Sequence, residues 1–276
     1  MKRITCGLIG AHIANSRFGD ALAMLGAEQG VAVAFRKIDT GDDHEFPFEE
    51  RVRSLIRSGW TGLTVTHPFK RQAMAMADRR FGLPERLRAA NTLLFDDGVA
   101  ATNTDYTGLR GAWAEIMGAE RPGRVGMAGA GGAARAIGAA LSEAGATEIA
   151  VWDLTPGAAE ALAVEAGGVV RAVSVEEAPA LIAAADGLVN ATPLGMAAHP
   201  GSAFEAAALG PQGWMLDAVY GPAPTRFACD AAAAGLTSIT GHDLFRHMML
   251  GSFKAYTGID LDPAAALPKL KALTGG

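Results

Sequence analysis

The chain has 276 residues, half of them hydrophobic and 19% charged, with a formal net charge of −5. That length holds one large or two medium domains with substantial cores, and the balance is that of a globular protein rather than a disordered one. An acidic excess without a basic run or a basic amphipathic helix excludes a general nucleic-acid or anionic-membrane binder, and no apolar stretch approaches the ~18 residues of a membrane helix.

In chain order, residues 4–9 read as a strand, 17–29 as a helix, 31–38 as a strand, 46–58 as a helix and 62–66 as a strand, an α/β alternation. Residues 91–95 and 99–102 predict a hairpin around Asp96-Asp97-Gly98. A helix over 105–119 ends at Glu120-Arg121-Pro122-Gly123, where a second unit is expected to begin. Strands follow at 123–128, 147–152, 168–173, 186–190 and 214–219 with alanine-rich helices between them, then helices over 223–234 and 241–257, the last returning to the first domain. The fold class expected is α/β with two domains.

Met1-Lys2-Arg3-Ile4 leads into a strand rather than a signal-peptide core, so a cytoplasmic protein is expected. Cys6 and Cys229 form neither a CxxC pair nor a disulfide framework and read as structural thiols. His12, His44, His67, His199, His242 and His247 lack ligand spacing, and no metal is expected.

The run from Val125 to Arg135 carries the strongest local signal: a buried strand, a glycine turn and a helix start. In Gly129-Ala130-Gly131-Gly132-Ala133-Ala134, Gly129 permits a tight bend and Gly131 lets the backbone approach a pyrophosphate. Ala134 keeps the helix close to the sheet, and the N–H groups at the helix start face an anion. The next strand ends at Asp153, the position of a ribose-binding carboxylate. A carboxylate there accepts from a free 2′-hydroxyl and repels a 2′-phosphate, and Leu154-Thr155-Pro156-Gly157 offers no cation, so NAD is expected over NADP. The alternative is that Asp153 caps the helix near Pro156.

Interconverting an alcohol and a ketone needs a group that moves the hydroxyl proton, and a lysine beside a carboxylate can supply it. Two segments offer such groups: Thr64-Val65-Thr66-His67-Pro68-Phe69-Lys70 and Asn103-Thr104-Asp105. On the residues alone, Lys70 also reads as a surface lysine and Asp105 as a helix N-cap.

Taken together, the chain resembles the shikimate/quinate dehydrogenase family. The ordered landmarks are Gly7-Leu8-Ile9-Gly10 with Ser16, Thr64 to Lys70, Asn91-Thr92, Asn103 to Asp105, Gly129 to Ala134, Asn190-Ala191-Thr192-Pro193-Leu194-Gly195-Met196, Asp217-Ala218-Val219-Tyr220, and Gly241 with Phe253. The resemblance implies a split substrate domain, here 1–106 with 241–276, a Rossmann-type NAD-binding domain, 107–240, and an active-site cleft between them. It implies Lys70 and Asp105 as a catalytic dyad, with Ser16, Thr66, Asn91 and Tyr220 on the substrate. Gly129, Ala130, Gly131, Gly132, Ala133, Asp153, Asn190, Ala191, Thr192, Met196, Val219 and Gly241 would serve the cofactor. The implied partner is a small cyclic polyhydroxy acid, and the implied assembly a monomer or homodimer.

Three substrate-side positions depart from the family pattern. Its Ser-x-Ser-Pro element is Ser16-Arg17-Phe18-Gly19, its Asn-Val-Thr is Thr64-Val65-Thr66, and its glutamine on the C-terminal helix is Met248. Each lost hydrogen bond is worth roughly 1–3 kcal/mol, enough to alter substrate preference. The rival readings are therefore the same dyad on an amino-substituted ring or another hydroxy acid, and a non-catalytic NAD-binding or metabolite-sensing protein.

Overall fold

The computed structural model describes residues 2–43, 45–221 and 224–274. His44, and Ala223 at the start of the helix expected over 223–234, lie outside the described residues. The chain divides into two compact units, Met1–Thr104 with Met248–Gly276, and Asp105–His247.

The first unit begins with β1 (Lys2–Gly10), α1 (Phe18–Glu28), β2 (Val31–Asp39), α2 (Phe48–Arg57) and β3 (Gly62–Val65). It continues with α3 (Lys70–Ala75), β4 (Arg79–Arg80), β5 (Thr92–Asp96) and β6 (Gly98–Thr102). The strands form one sheet in the order β2-β1-β3-β5-β6-β4. β1 runs parallel to β2 and β3, whereas β5 is antiparallel to both β3 and β6. β1 is buried continuously from Cys6 to Gly10, as a strand covered on both faces must be.

α2 buries Phe48, Val52 and Leu55, one stripe at helical spacing, and leaves Glu49 and Arg53 paired outside. Phe48 stacks on Phe69 with ring centroids 4.9 Å apart, and this fixes the segment from which α3 and Lys70 start.

The second unit comprises α4 (Thr104–Ile116), β7 (Arg124–Ala128), α5 (Gly132–Glu143), β8 (Glu148–Trp152), α6 (Ala158–Ala166) and β9 (Val170–Ala172). It is completed by α7 (Ala178–Ala184), β10 (Gly187–Asn190), β11 (Trp214–Asp217), α8 (Arg226–Ala233) and β12 (Thr237–Ile239). Its sheet is parallel throughout in the order β12-β11-β10-β7-β8-β9. Strand order reverses where β7 lies beside β10, and in open α/β sheets ligands bind at the carboxyl ends of the strands at such a switch. α9 (Gly241–Thr257) straddles the division between the units, and α10 (Pro263–Thr274) ends the chain.

Several elements differ from the sequence expectation. β12 is only three residues long, too short for alternation to register, and α10 contains Pro268, which argues against a helix when read locally. α3, expected as loop, begins two residues after Pro68 and runs for six. α4 starts at Thr104, so Asp105 lies in its first turn rather than before it.

Candidate active site

In the first unit, Asn91 is the organising residue. Its backbone carbonyl accepts from Val65 N–H at 2.7 Å and its own N–H donates to the carbonyl of Thr102, so it bridges the ends of β3 and β6. Its side chain, 2% exposed, takes the N–H of Thr104 on Oδ1 at 2.7 Å and the Thr92 hydroxyl at 2.9 Å. Its Nδ2 donates to Thr104 Oγ1 at 3.1 Å, and a carboxamide carries a second N–H beyond that one. The Thr104 hydroxyl also meets Ser252 Oγ at 2.9 Å. One residue before Asn91, Ala90 N–H donates to the carbonyl of Lys70 at 2.9 Å. The backbone of Lys70 and the residue preceding Asp105 are thus tied to adjacent positions of one strand lead.

Thr66 is half-buried and its N–H donates to Ile9 at the end of β1. Gly10 makes that approach possible, since a Cβ there would lie 2.3 Å from Thr66 Cγ2 and 2.7 Å from the carbonyl of His67. Lys70 is half-buried at the start of α3. Ser16 Oγ accepts from Phe18 N–H at 3.3 Å, and the exposed Arg17 pairs with Asp20 across one helical turn.

The three departures from the family pattern have definite surroundings. Phe18 is 2% exposed and stacks on Phe35, so its ring belongs to the core rather than to an open surface. Thr64 is buried with its hydroxyl 2.8 Å from that of Tyr256. Burial pushes the Tyr256 phenol well above its ordinary range, so the pair is a neutral hydrogen bond. Met248 is half-buried on α9.

In the second unit, the turn after β7 has the geometry that the glycine spacing predicts. Gly129 has φ +96°, and a Cβ there would come within 2.8 Å of the Ala191 backbone. At Gly131 an added Cβ would meet nothing within 4 Å, so the space beside the turn is open. No side chain caps α5, which leaves the amides of Gly132 and Ala133 at an uncapped N-terminus suited to an anion. Gly129 N–H donates to the carbonyl of Trp152, and Ala130 N–H to Asp153 Oδ2 at 2.7 Å.

Asp153 therefore braces the turn with one oxygen while Oδ1 takes the N–H of Thr155. It does not cap α6, whose N-cap is Gly157. The half-buried carboxylate at a strand end, the open turn and the uncapped helix fit a dinucleotide.

The loops after β10 and β11 complete this region. Asn190 is wholly buried, and its Oδ1 accepts from the N–H and hydroxyl of Thr192 at 3.0 and 2.6 Å. Ala191 N–H donates to Ala128, and Met196 is exposed in the turn closed against His199. Val219 is buried, and Gly241 packs so tightly on it that a Cβ would lie 2.1 Å from its carbonyl oxygen. Tyr220 stacks on Phe245 at 4.7 Å and lies beside His242.

Two supporting residues carried no assignment from the sequence. Arg135, 7% exposed, donates to the carbonyls of Ala130 and Gly131 and pairs with Glu165 at 2.7 Å, holding the turn from below. An arginine amid alanines at the start of a buried helix was the available signal. The second is Asp217 at the end of β11. Among the described residues, no three His, Cys, Asp or Glu side chains gather as a metal site, and no helix is long and apolar enough to cross a membrane.

Comparison with known proteins gives the family. Residues 8–93 match the family model described as the shikimate dehydrogenase substrate binding domain. The chain is 36% identical over 271 residues to a quinate/shikimate dehydrogenase (NAD(+)) of Corynebacterium efficiens, covering 94% of each chain. It is 35% identical to a shikimate dehydrogenase (NADP(+)) of Streptomyces avermitilis, covering 98% of this chain and 95% of that one. Among solved structures it superposes on a quinate dehydrogenase from Corynebacterium glutamicum in complex with NAD, with a TM-score of 0.88, 31% identity, and coverage of 99% and 100%. It also matches a shikimate 5-dehydrogenase from Thermus thermophilus in complex with NADP(H) and shikimate, with a TM-score of 0.82, 31% identity, and coverage of 98% and 99%. Two α/β domains, one of them Rossmann-type, together with this similarity to shikimate and quinate dehydrogenases identify an oxidoreductase acting on CH–OH groups. The chain belongs to the shikimate/quinate dehydrogenase family.

Proposed function

We propose that this protein interconverts a secondary alcohol and a ketone on a small cyclic polyhydroxy acid of the shikimate or quinate type, using NAD. The nicotinamide dinucleotide supplies hydride acceptance and donation when bound. Lys70 takes the hydroxyl proton during oxidation and returns it to the carbonyl oxygen during reduction, and Asp105 orients both Lys70 and the substrate hydroxyl. Asn91, Thr66 and Ser16 hold ring hydroxyls and the acid group, and Tyr220 closes over the substrate. Residues 1–106 with 241–276 serve the substrate, and residues 107–240 the cofactor.

The observation that carries this reading is the double attachment at Asn91: Ala90 beside it holds the Lys70 carbonyl, and its own carboxamide holds Thr104, the residue before Asp105. The remaining cofactor groups are Gly129 to Ala133 for the pyrophosphate and Asn190, Ala191, Thr192, Met196, Val219 and Gly241 at the nicotinamide end. Asp153 supports NAD over NADP, because its braced carboxylate sits where a 2′-phosphate would be repelled and no cation follows in residues 154–157.

The test is turnover by Lys70→Ala and Asp105→Asn. Both are expected to lose about 10²–10⁴-fold in kcat, as removal of a proton-transfer group does, while NADH binding persists. Near-normal turnover in both would overturn the dyad.

A second reading keeps this machinery but changes the substrate. Thr64 spends its hydroxyl on Tyr256, Phe18 is enclosed in the core, and Met248 offers no hydrogen bond, so the site presents fewer polar groups than the family pattern. An amino-substituted ring or another hydroxy acid would then be preferred. A non-catalytic sensor is disfavoured by the retention of both Lys70 and Asp105.

A further inference from the structure

Asp217 lies at the C-terminal end of β11, 1% exposed, where three donors from three different segments converge on its carboxylate. Asn190 Nδ2, from the end of β10, donates to Oδ1 at 2.9 Å, and the N–H of Val219 donates to the same oxygen at 3.0 Å. The hydroxyl of Thr225, the N-cap of α8, donates to Oδ2. Asn190 passes the constraint on, since its Nδ2 also donates to the carbonyl of Leu194 and its Oδ1 holds both polar groups of Thr192. Thr192 Oγ1 in turn accepts from Leu194 N–H at 3.1 Å.

We infer that Asp217 is a positioning residue that locks the loops after β10 and β11 into one body and thereby sets the nicotinamide end of the cofactor site. This rests on the proposed assignment of Asn190, Thr192 and Val219 to that end. A buried carboxylate is costly, and an apolar residue would fill the same space more cheaply. What the carboxylate provides is two acceptor oxygens for donors that no single backbone group could reach together. Removing it takes the Asp217 acceptor from the Asn190 amide, the Val219 N–H and the Thr225 hydroxyl, leaving the Asn190 side chain tied only within its own loop, and a loop displacement of about 1 Å at a reacting centre is enough to cost roughly 10²-fold in rate. Asp217 touches the loops rather than the ligand, so its effect should be confined to the part of the cofactor those loops face.

The experiment is fluorescence titration of the full-length wild type, Asp217→Ala and Asp217→Asn with NADH, and competition with ADP-ribose, which lacks the nicotinamide. Asp217→Ala should bind NADH about tenfold more weakly, the equivalent of one or two lost hydrogen bonds, while its affinity for ADP-ribose stays within about twofold. Asp217→Asn keeps an acceptor for Asn190 and Val219 and should recover most of the loss. Equal weakening toward both ligands would mean a merely structural role and overturn the inference, as would no weakening toward either. If the wild type binds NADH no better than ADP-ribose, the assignment of the nicotinamide end itself fails and the inference falls with it. Should Asp217→Ala not fold, Thr225→Val removes one donor at a milder position. A NADH-selective weakening there supports the inference, and an unselective one or none contradicts it.

Discussion

The Asn91 carboxamide grips both polar groups of Thr104: the N–H of Thr104 donates to Asn91 Oδ1 at 2.7 Å, and the Thr104 hydroxyl lies 3.1 Å from Asn91 Nδ2 and 3.2 Å from Oδ1. Both residues are buried, so none of these bonds can be exchanged for water. Asn91→Ala removes the Oδ1 acceptor of the Thr104 amide, and the expected loss of stability is about 1–3 kcal/mol. Urea denaturation measures it. A change below about 0.5 kcal/mol, the range of an uninvolved surface position, would show that the start of α4 does not depend on Asn91.

Asp153 accepts from the turn amide of Ala130 and is proposed to leave capacity for a ribose hydroxyl. Asp153→Ala should raise KM for NAD about tenfold or more, the worth of a hydrogen bond to a charged group, and narrow the preference over NADP. Initial rates with each cofactor decide the matter. A wild type that prefers NADP would contradict the assignment.

Burial raises the Asp217 carboxyl above its ordinary range, outweighing the hydrogen bonds that lower it. The folded state then takes up a proton before the unfolded chain does as pH falls, so this group destabilises the fold at neutral pH relative to acid. Asp217→Asn cannot titrate. Wild type should therefore gain in Tm relative to Asp217→Asn as pH falls from neutrality into the carboxylate range, and a relative loss would contradict the burial argument.

Cys6 is fully buried, with its thiol pushed up to about 12, whereas Cys229 is exposed. The thiolate is the reactive form. A thiol reagent at neutral pH should modify Cys229 alone in the native protein and both cysteines in denaturant. Rapid native labelling of Cys6 would mean that β1 opens readily.

The second unit was legible in the sequence because its signals are local. The spacing of Gly129 and Gly131, the apolar strand before them and the acid at Asp153 are all read within one βαβ stretch. Two elements were not: Pro268 hides α10 in the first unit, and a length of three residues hides β12 in the second.

Side-chain direction was not legible at all. Nothing in Ser16-Arg17-Phe18-Gly19 says that Phe18 turns inward onto Phe35, and nothing near Thr64 says that Tyr256, 192 residues on, takes its hydroxyl. Those are long-range packing facts, set by which strand and helix lie opposite. Asp217 was visible as a landmark, but its role follows only from three donors meeting in space.

The central claim is tested most directly by following NADH formation in the purified protein with NAD or NADP, against shikimate, quinate and related hydroxy acids. The account predicts turnover of shikimate or quinate that is faster with NAD and lost in Lys70→Ala. Binding of NAD without turnover of either acid, or turnover driven by NADP in preference, would contradict it.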